Sequence, residues 1–195
     1  MTLLKRFSTL AFAGLVATLA LSAHAASTTS ASDNVTPSIR VGFSPEGTAA
    51  SLVVDVIKNA KRSIHVLSYM MTSSDIVNAL IAAKQRGVDI FVVADSSSRE
   101  KSQECLKALL RAGISVRVTS AYRLLHDKVI IADENTVQTG SFNYTVSASN
   151  MNSENVVVIK DAPVVTAGYM DQWQSRWQGA KAYSVNDATT VERHL

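Results

Sequence analysis

The spacing of apolar positions switches repeatedly between a strand period and a helix period along the first half of the chain. Residues 39–43 alternate as Ile39, Arg40, Val41, Gly42, Phe43 and predict a strand, and residues 47–60 put Leu52, Val53, Val56 and Ile57 on one helical face. The cycle repeats with a strand over 63–69 and a helix over 74–85, where Ser73 or Ser74 is a cap and Gly87 a stop. It repeats again with an apolar strand over 88–94, a helix over 100–112 ending at Gly113, and a strand over 114–118. Successive strand–helix units imply a parallel sheet with helices on its faces. The last third breaks the rhythm. Residues 128–132 and 136–139 predict a hairpin around Glu134 and Asn135, residues 155–160 another strand, and Asp161 the cap of a final helix reaching about Gln178 before Gly179. The fold class expected is α/β: a single domain with a mixed, mostly parallel sheet flanked by helices on both faces.

The chain's beginning belongs to a different class of segment. Lys5 and Arg6 precede an apolar run from Leu10 to Leu21, and Ala23-His24-Ala25 fits the small-x-small cleavage rule. A spanning helix needs about 20 apolar residues, more than this run supplies. Residues 1–25 are therefore expected to be a cleaved signal peptide, 26–37 a Ser/Thr/Ala-rich flexible lead-in and 38–195 the folded domain. The protein is expected to be periplasmic or secreted, without stable membrane association afterwards.

Removing the signal alters the charge argument. The whole chain carries 19 Lys+Arg against 16 Asp+Glu, but without Lys5 and Arg6 the balance is 17 against 16. Overall basicity is thus no pointer to nucleic acid, whereas its distribution is. Residues 56–128 hold 12 basic and 6 acidic side chains, and the remainder from Val129 holds 4 and 7. A basic half can track a phosphate backbone. Cys105 is the single cysteine, which excludes an intramolecular disulfide and a Cys-based zinc site, and its helical context predicts burial.

The chemistry concentrates in one stretch, His126-x-Lys128-x4-Asp133-x6-Gly140-Ser141-x-Asn143. At this composition the first three residues would recur by chance in about one sequence in a hundred, and the full spacing in roughly two in a million. Strand alternation places His126 and Lys128 on one face. A neutral imidazole there can attack phosphorus or exchange protons near neutral pH, and Lys128 is a compact cation suited to a phosphate oxygen. Ser141 and Asn143 offer neutral donors for the remaining oxygens. Gly140 permits a close backbone approach. His65, between Ile64 and Val66, reads as structural, Asp127 as a solvated turn residue, and Trp173 and Trp177 as packing residues four apart on a helix. A metal site from His126, Asp133 and Glu154 is the chemical alternative, opposed by the ammonium of Lys128 two residues from the histidine.

This pattern resembles the signature of the phospholipase D superfamily, and within it the small bacterial periplasmic endonucleases that carry one motif copy and resist EDTA. Phe43-Ser44-Pro45, residues 64–69 and Arg86-Gly87-Val88 with the strand ending at Asp95 extend the likeness over most of the mature chain. The resemblance implies a phosphohistidine on His126, no metal or other cofactor, and a second motif histidine as general acid and base. One motif copy then implies a homodimer joined at its active-site face. It also implies a supporting structural part for Asp133, and a histidine-orienting part for a carboxylate downstream of the Ser-Asn turn, the place Glu154 occupies. The expected substrate is DNA, with RNA as a further class, cleaved at low sequence specificity. Two other readings stay open: a phospholipase D or phosphatidyl transferase acting on phospholipid head groups, and a catalytically inactive nucleic-acid-binding module.

Overall fold

The computed structural model describes residues 36–97 and 100–184. The expected signal, most of the lead-in and His194 lie outside the described residues.

Strands β1 (Ser38–Ser44), β2 (Ser63–Ser68), β3 (Asp89–Asp95) and β4 (Ser115–Thr119) are separated by helices α1 (Thr48–Asn59), α2 (Ser74–Gln85) and α3 (Glu100–Arg111), as the periodicity predicts. After them come β5 (Lys128–Ala132), β6 (Thr136–Gly140), α4 (Val146–Asn150), β7 (Glu154–Lys160), α5 (Pro163–Gly179) and the two-residue β8 (Lys181–Ala182). All eight strands join one sheet in the order β1-β7-β6-β5-β2-β3-β4-β8. The sheet is mixed, but its parallel part is smaller than expected. Only β2–β3 and β3–β4 run parallel, while the pairs β1–β7, β7–β6, β6–β5, β5–β2 and β4–β8 are antiparallel. Parallel pairing needs a crossover of helix length, and from β4 to β7 the connections are short loops and the five-residue α4.

Helices cover both faces. Alternation along β5 sends Ile130 and Ala132 into the core beneath α1, α2 and α3, and Val129 and Ile131 into a second core beneath α5. On the first side Leu52, Val53, Val56 and Ile57 of α1 pack at helical spacing against the sheet. Each fully buried aliphatic of this kind contributes about 1.5–3 kcal/mol. On the second side Trp173 is buried, stacks on Trp177 at 5.2 Å and donates from Nε1 to the Val66 carbonyl at 3.3 Å. His65 is structural, packed against Phe91 at 5.4 Å and the edge of Trp173 at 4.4 Å, and burial pushes its imidazole pKa down.

Three local expectations are corrected. The hairpin turns on Asp133 and Glu134, both at positive φ, one residue earlier than predicted, with Asn135 N donating to Ala132 O at 3.1 Å. Asp161 does not cap α5, which starts at Pro163. Its carboxylate instead accepts from Asn135 Nδ2 at 2.7 Å, tying the β7 exit to the hairpin turn. Cys105 is half-buried rather than buried, because it flanks the core instead of entering it, and burial pushes its thiol pKa up.

Asp133 accounts for the turn. Its Oδ1 accepts from the backbone N–H groups of Arg62 at 2.7 Å, Ser63 at 3.0 Å and Lys61 at 3.1 Å, and its Oδ2 from Lys61 at 2.9 Å. Its own N–H donates to Ser63 O at 2.9 Å, and Arg62 Nη2 donates to its carbonyl at 2.9 Å. These bonds clasp the end of β5 to the start of β2. Burial alone would raise the Asp133 carboxyl pKa, but the three N–H groups and the Arg62 charge outweigh it and hold it below the ordinary carboxylate range. A carboxylate depressed on folding adds stability above its unfolded pKa of about 3.9 and loses it as pH falls through the lower folded value. Asp133→Ala should therefore lower urea-measured stability by about 2 kcal/mol at neutral pH. The gap to wild type should narrow as the solution is acidified through that window; a pH-independent difference would refute the assignment.

Candidate active site

The site lies at the sheet end where β1, β2, β3, β4 and β6 finish and β5 and β7 begin, the end at which open α/β sheets gather functional groups. The loop from β4 descends to β5 under the control of Asp95, the last residue of β3. Its buried carboxylate accepts from Leu125 N at 2.6 Å through Oδ2, and from Ser97 N at 2.8 Å and Ser97 Oγ through Oδ1. Leu125 is itself buried beneath α5. With its neighbour fixed, His126 projects from the end of the loop.

His126 is exposed, and its ring lies 4.7 Å from that of Tyr69 at a tilt of 51°. Among the described residues no side chain hydrogen-bonds either ring nitrogen. The next residue, Asp127, is half-buried rather than freely solvated, because its carbonyl accepts from Tyr69 N at 3.0 Å and draws the loop onto the end of β2. Lys128, first residue of β5, is only 6% exposed. Its Nζ donates to the His126 carbonyl at 2.6 Å and sits 5.3 Å from the centre of the Tyr69 ring. Burial pushes its ammonium pKa down, against the opposing pull of the Asp127 and Glu154 carboxylates. Tyr69, in contact with both motif residues, carried no functional signal in the sequence beyond closing an apolar strand.

The second wall comes from β6 and β7. Gly140 has φ +144°, and a Cβ there would stand 2.2 Å from the Asn155 carbonyl oxygen. That approach lets Ser141 N donate to Asn155 O at 3.1 Å. The Ser141 hydroxyl donates to Glu154 Oε2 at 2.5 Å and accepts from Asn155 N at 3.1 Å. Glu154 Oε1 accepts from Asn152 Nδ2 at 2.9 Å. The Ser141 hydroxyl is thus directed at Glu154, and the Glu154 carboxylate is held by Ser141 and Asn152. Asn143 keeps a buried amide oxygen, an acceptor, with no partner among the described residues. Tyr144 beside it is wholly buried, with its hydroxyl donating to Gln138 Oε1 at 2.9 Å and its carbonyl accepting from Thr72 and Ser73.

His126, Lys128, Gly140, Ser141, Asn143 and Glu154 together line one open cavity of about 440 Å³. Asp133 is not among them. It ends the opposite side of β5, five residues or about 16 Å from Lys128, so a His126–Asp133–Glu154 metal set cannot close. Among the described residues no group of three His, Cys, Asp or Glu side chains is placed to hold a metal ion.

Residues 53–177 match a family model described as "Cardiolipin synthase, PLD-like domain". The chain belongs to the phospholipase D superfamily. It is 39% identical over 134 residues to a phospholipase D of Rickettsia bellii, covering 69% of this chain and 66% of that protein. The match thus spans just under two thirds of the relative's length. Among solved structures, a phospholipase D family member, Nuc from Salmonella typhimurium, superposes with a TM-score of 0.75 at 43% identity, covering 76% of this chain and 99% of that one. NucT from Helicobacter pylori shares the fold, with a TM-score of 0.68 at 18% identity over 76% of this chain and 100% of its own. The chain falls in the Nuc-like branch.

Two outcomes test the geometry. Gly140→Ala must open the β6–β7 contact or strain the backbone, and should cost at least about 2 kcal/mol, read by urea unfolding. An unchanged transition would contradict the close approach. Lys128 carries its charge below its pKa, so anion affinity falls as pH rises. The lowered pKa starts that fall below the ordinary lysine value of about 10.4. Calorimetric titration with inorganic phosphate should show this, and Lys128→Arg should move the alkaline limb upward.

Proposed function

We propose that this protein is a metal-independent phosphodiester hydrolase, specifically an endonuclease acting on DNA and RNA with low sequence specificity. The observation that carries the reading is an exposed imidazole on the rim of a cavity lined also by the buried ammonium of Lys128 and the amide of Asn143. Such a cavity suits one phosphodiester: Lys128 Nζ and Asn143 Nδ2 donate to non-bridging oxygens while His126 attacks phosphorus. The N–P bond forms as the bond to the leaving oxygen breaks, and that oxygen takes a proton from a second imidazole. The same imidazole then removes a proton from water, which attacks the phosphohistidine and frees His126.

The second imidazole must come from another copy. Among the described residues the only other histidine is His65, enclosed by Phe91 and Trp173 beneath α5. A twofold homodimer presenting the partner subunit's His126 across the cavity supplies it. Glu154, its carboxylate held by Ser141 and Asn152, then acts across the cavity by charge, stabilising the positive charge that develops on His126 as the N–P bond forms.

The nuclease reading is favoured over lipid hydrolysis by extent of similarity. The likeness to Nuc covers 99% of that chain at 43% identity, whereas the phospholipase D of Rickettsia bellii is matched over 66% of its length. The names of those Rickettsia proteins keep a phospholipid head group as the second reading. The inactive-module reading is disfavoured because every polar group of the cavity is present. We further propose that residues 1–25 are removed on export and that the domain works in the periplasm or outside the cell. Among the described residues no helix is long and apolar enough to cross a membrane.

Plasmid DNA incubated with the protein in excess EDTA should be degraded, and His126→Ala should lower the rate about a thousandfold or more. Light scattering should give twice the protomer mass. Choline release from phosphatidylcholine with DNA intact would replace the nuclease by the lipase, and loss of activity in EDTA would replace the mechanism.

A further inference from the structure

A second cleft opens at the opposite end of the sheet, on the face that α1 covers. It has a volume of about 530 Å³ and is lined by the C-terminal turn of α1, the α1–β2 link, the β5–β6 turn and the outer ends of β1 and β7. Four cations surround it: Arg40, Lys61, Arg62 and Lys160. All four side chains are exposed. The two ion pairs among the described residues, Lys84–Asp89 and Lys107–Glu104, involve none of them.

The carboxylates of the cleft do not offset this charge fully. Asp133, though bound by the backbone N–H groups of Lys61, Arg62 and Ser63, keeps its negative charge, and Asp55 adds a second, so four cations against two carboxylates leave the lining a net +2. Among the described residues neither carboxylate forms an ion pair with these cations. The end of α1 would ordinarily add negative potential, but Arg86 Nη2 donates to the carbonyls of Lys58 at 3.0 Å and Ile57 at 3.2 Å and neutralises it. Arg62 also donates to the Asp133 carbonyl, and a concave site whose exposed cations outnumber its carboxylates is a place for an anion of repeated charge.

The geometry points to a second contact for the backbone phosphates of a nucleic acid strand. We propose that Arg40, Lys61, Arg62 and Lys160 grip the strand at a point remote from the catalytic cavity. The inference rests on the nucleic-acid reading above. β7 sets the spacing, since Glu154 lines the catalytic cavity and Lys160 the cleft, six residues apart on the same strand face. Six residues span about 20 Å, close to six base-pair steps along the axis of a duplex, which advances about 3.4 Å per charge of one strand. A polymer can reach both sites, while a short diester reaches only one.

The test compares duplex binding by His126→Ala with and without Lys61→Gln and Lys160→Gln, using fluorescence anisotropy of a labelled duplex across a salt series. The two neutralisations should weaken binding about tenfold near physiological salt and reduce the slope of log affinity against log salt by about 2. In the wild-type background they should leave hydrolysis of bis(p-nitrophenyl) phosphate and the thermal unfolding transition unchanged. An unchanged salt slope, with the duplex still bound, would overturn the cleft and leave the nuclease reading standing. Weakened binding to phosphatidylglycerol vesicles with duplex affinity unchanged would reassign the cleft to a lipid surface and overturn the proposal. No duplex binding by either protein, together with choline release by wild type, would remove the nucleic-acid reading itself.

Discussion

The five residues of β5 are buried on both faces of the sheet, and the site depends on how that strand is held. At one end the carboxylate of Asp133 takes three N–H groups from the start of β2. At the other, Tyr69 N donates to the Asp127 carbonyl, and Asp95 holds Leu125 just before the motif histidine. Between these clamps Val129 and Ile131 fill the core under α5, while Ile130 and Ala132 fill the core under α1. A slip of one residue would invert both sets and turn Lys128 away from its cavity. Register is thus enforced by two hydrophobic cores at once, and the position of the lysine follows from it.

That arrangement puts destabilised groups together. Ser44 Oγ, Ser68 Oγ and Asn143 Oδ1 are buried without partners, and all lie at the catalytic end of the fold. Ser68 pairs with Lys128 across β2–β5, and Ser44 pairs with Glu154 across β1–β7. Each unsatisfied buried group costs about 1–3 kcal/mol, and Lys128 adds the cost of a partly dehydrated ammonium. The opposite end of the sheet spends its polar atoms on turn bonds, among them Asp133 with β2 and Asn135 with Asp161.

Much of this was legible in the sequence because it depends on local period and local spacing. The strand–helix alternation up to β4 survives in the structure, and the motif residues His126, Lys128, Gly140, Ser141 and Asn143 do meet in one cavity with Glu154. What escaped depends on partners far along the chain. The antiparallel insertion of β5, β6 and β7 beside β2 has no periodic signature, nor do α4 and β8, which are too short to show one. Asp161 looks like a helix cap until the β5–β6 turn arrives beside it. Ser141 looks like an anion donor, and only the fold brings Glu154 beside its hydroxyl to accept from it. Tyr69 and Asp95 reach the site through neighbours some 30 to 60 residues away in the chain, so single-residue chemistry could not mark them.

The outer strand β1 presents Ile39, Val41 and Phe43 at 66%, 57% and 52% exposure on one face and has β7 as its sole sheet neighbour. Its far edge is covered at Phe43, whose N–H and carbonyl bond Thr48 Oγ1, but lies open toward Ser38 beside an apolar stripe, the arrangement that invites strands of other molecules to add on. Arg40 interrupts that strand with a charge between Ile39 and Val41. A stacked fibre-like pairing of β1 edges would bring successive guanidinium groups into close register and repel. The residue that lends charge to the remote cleft is thus also the gatekeeper that keeps the open end of the sheet from growing.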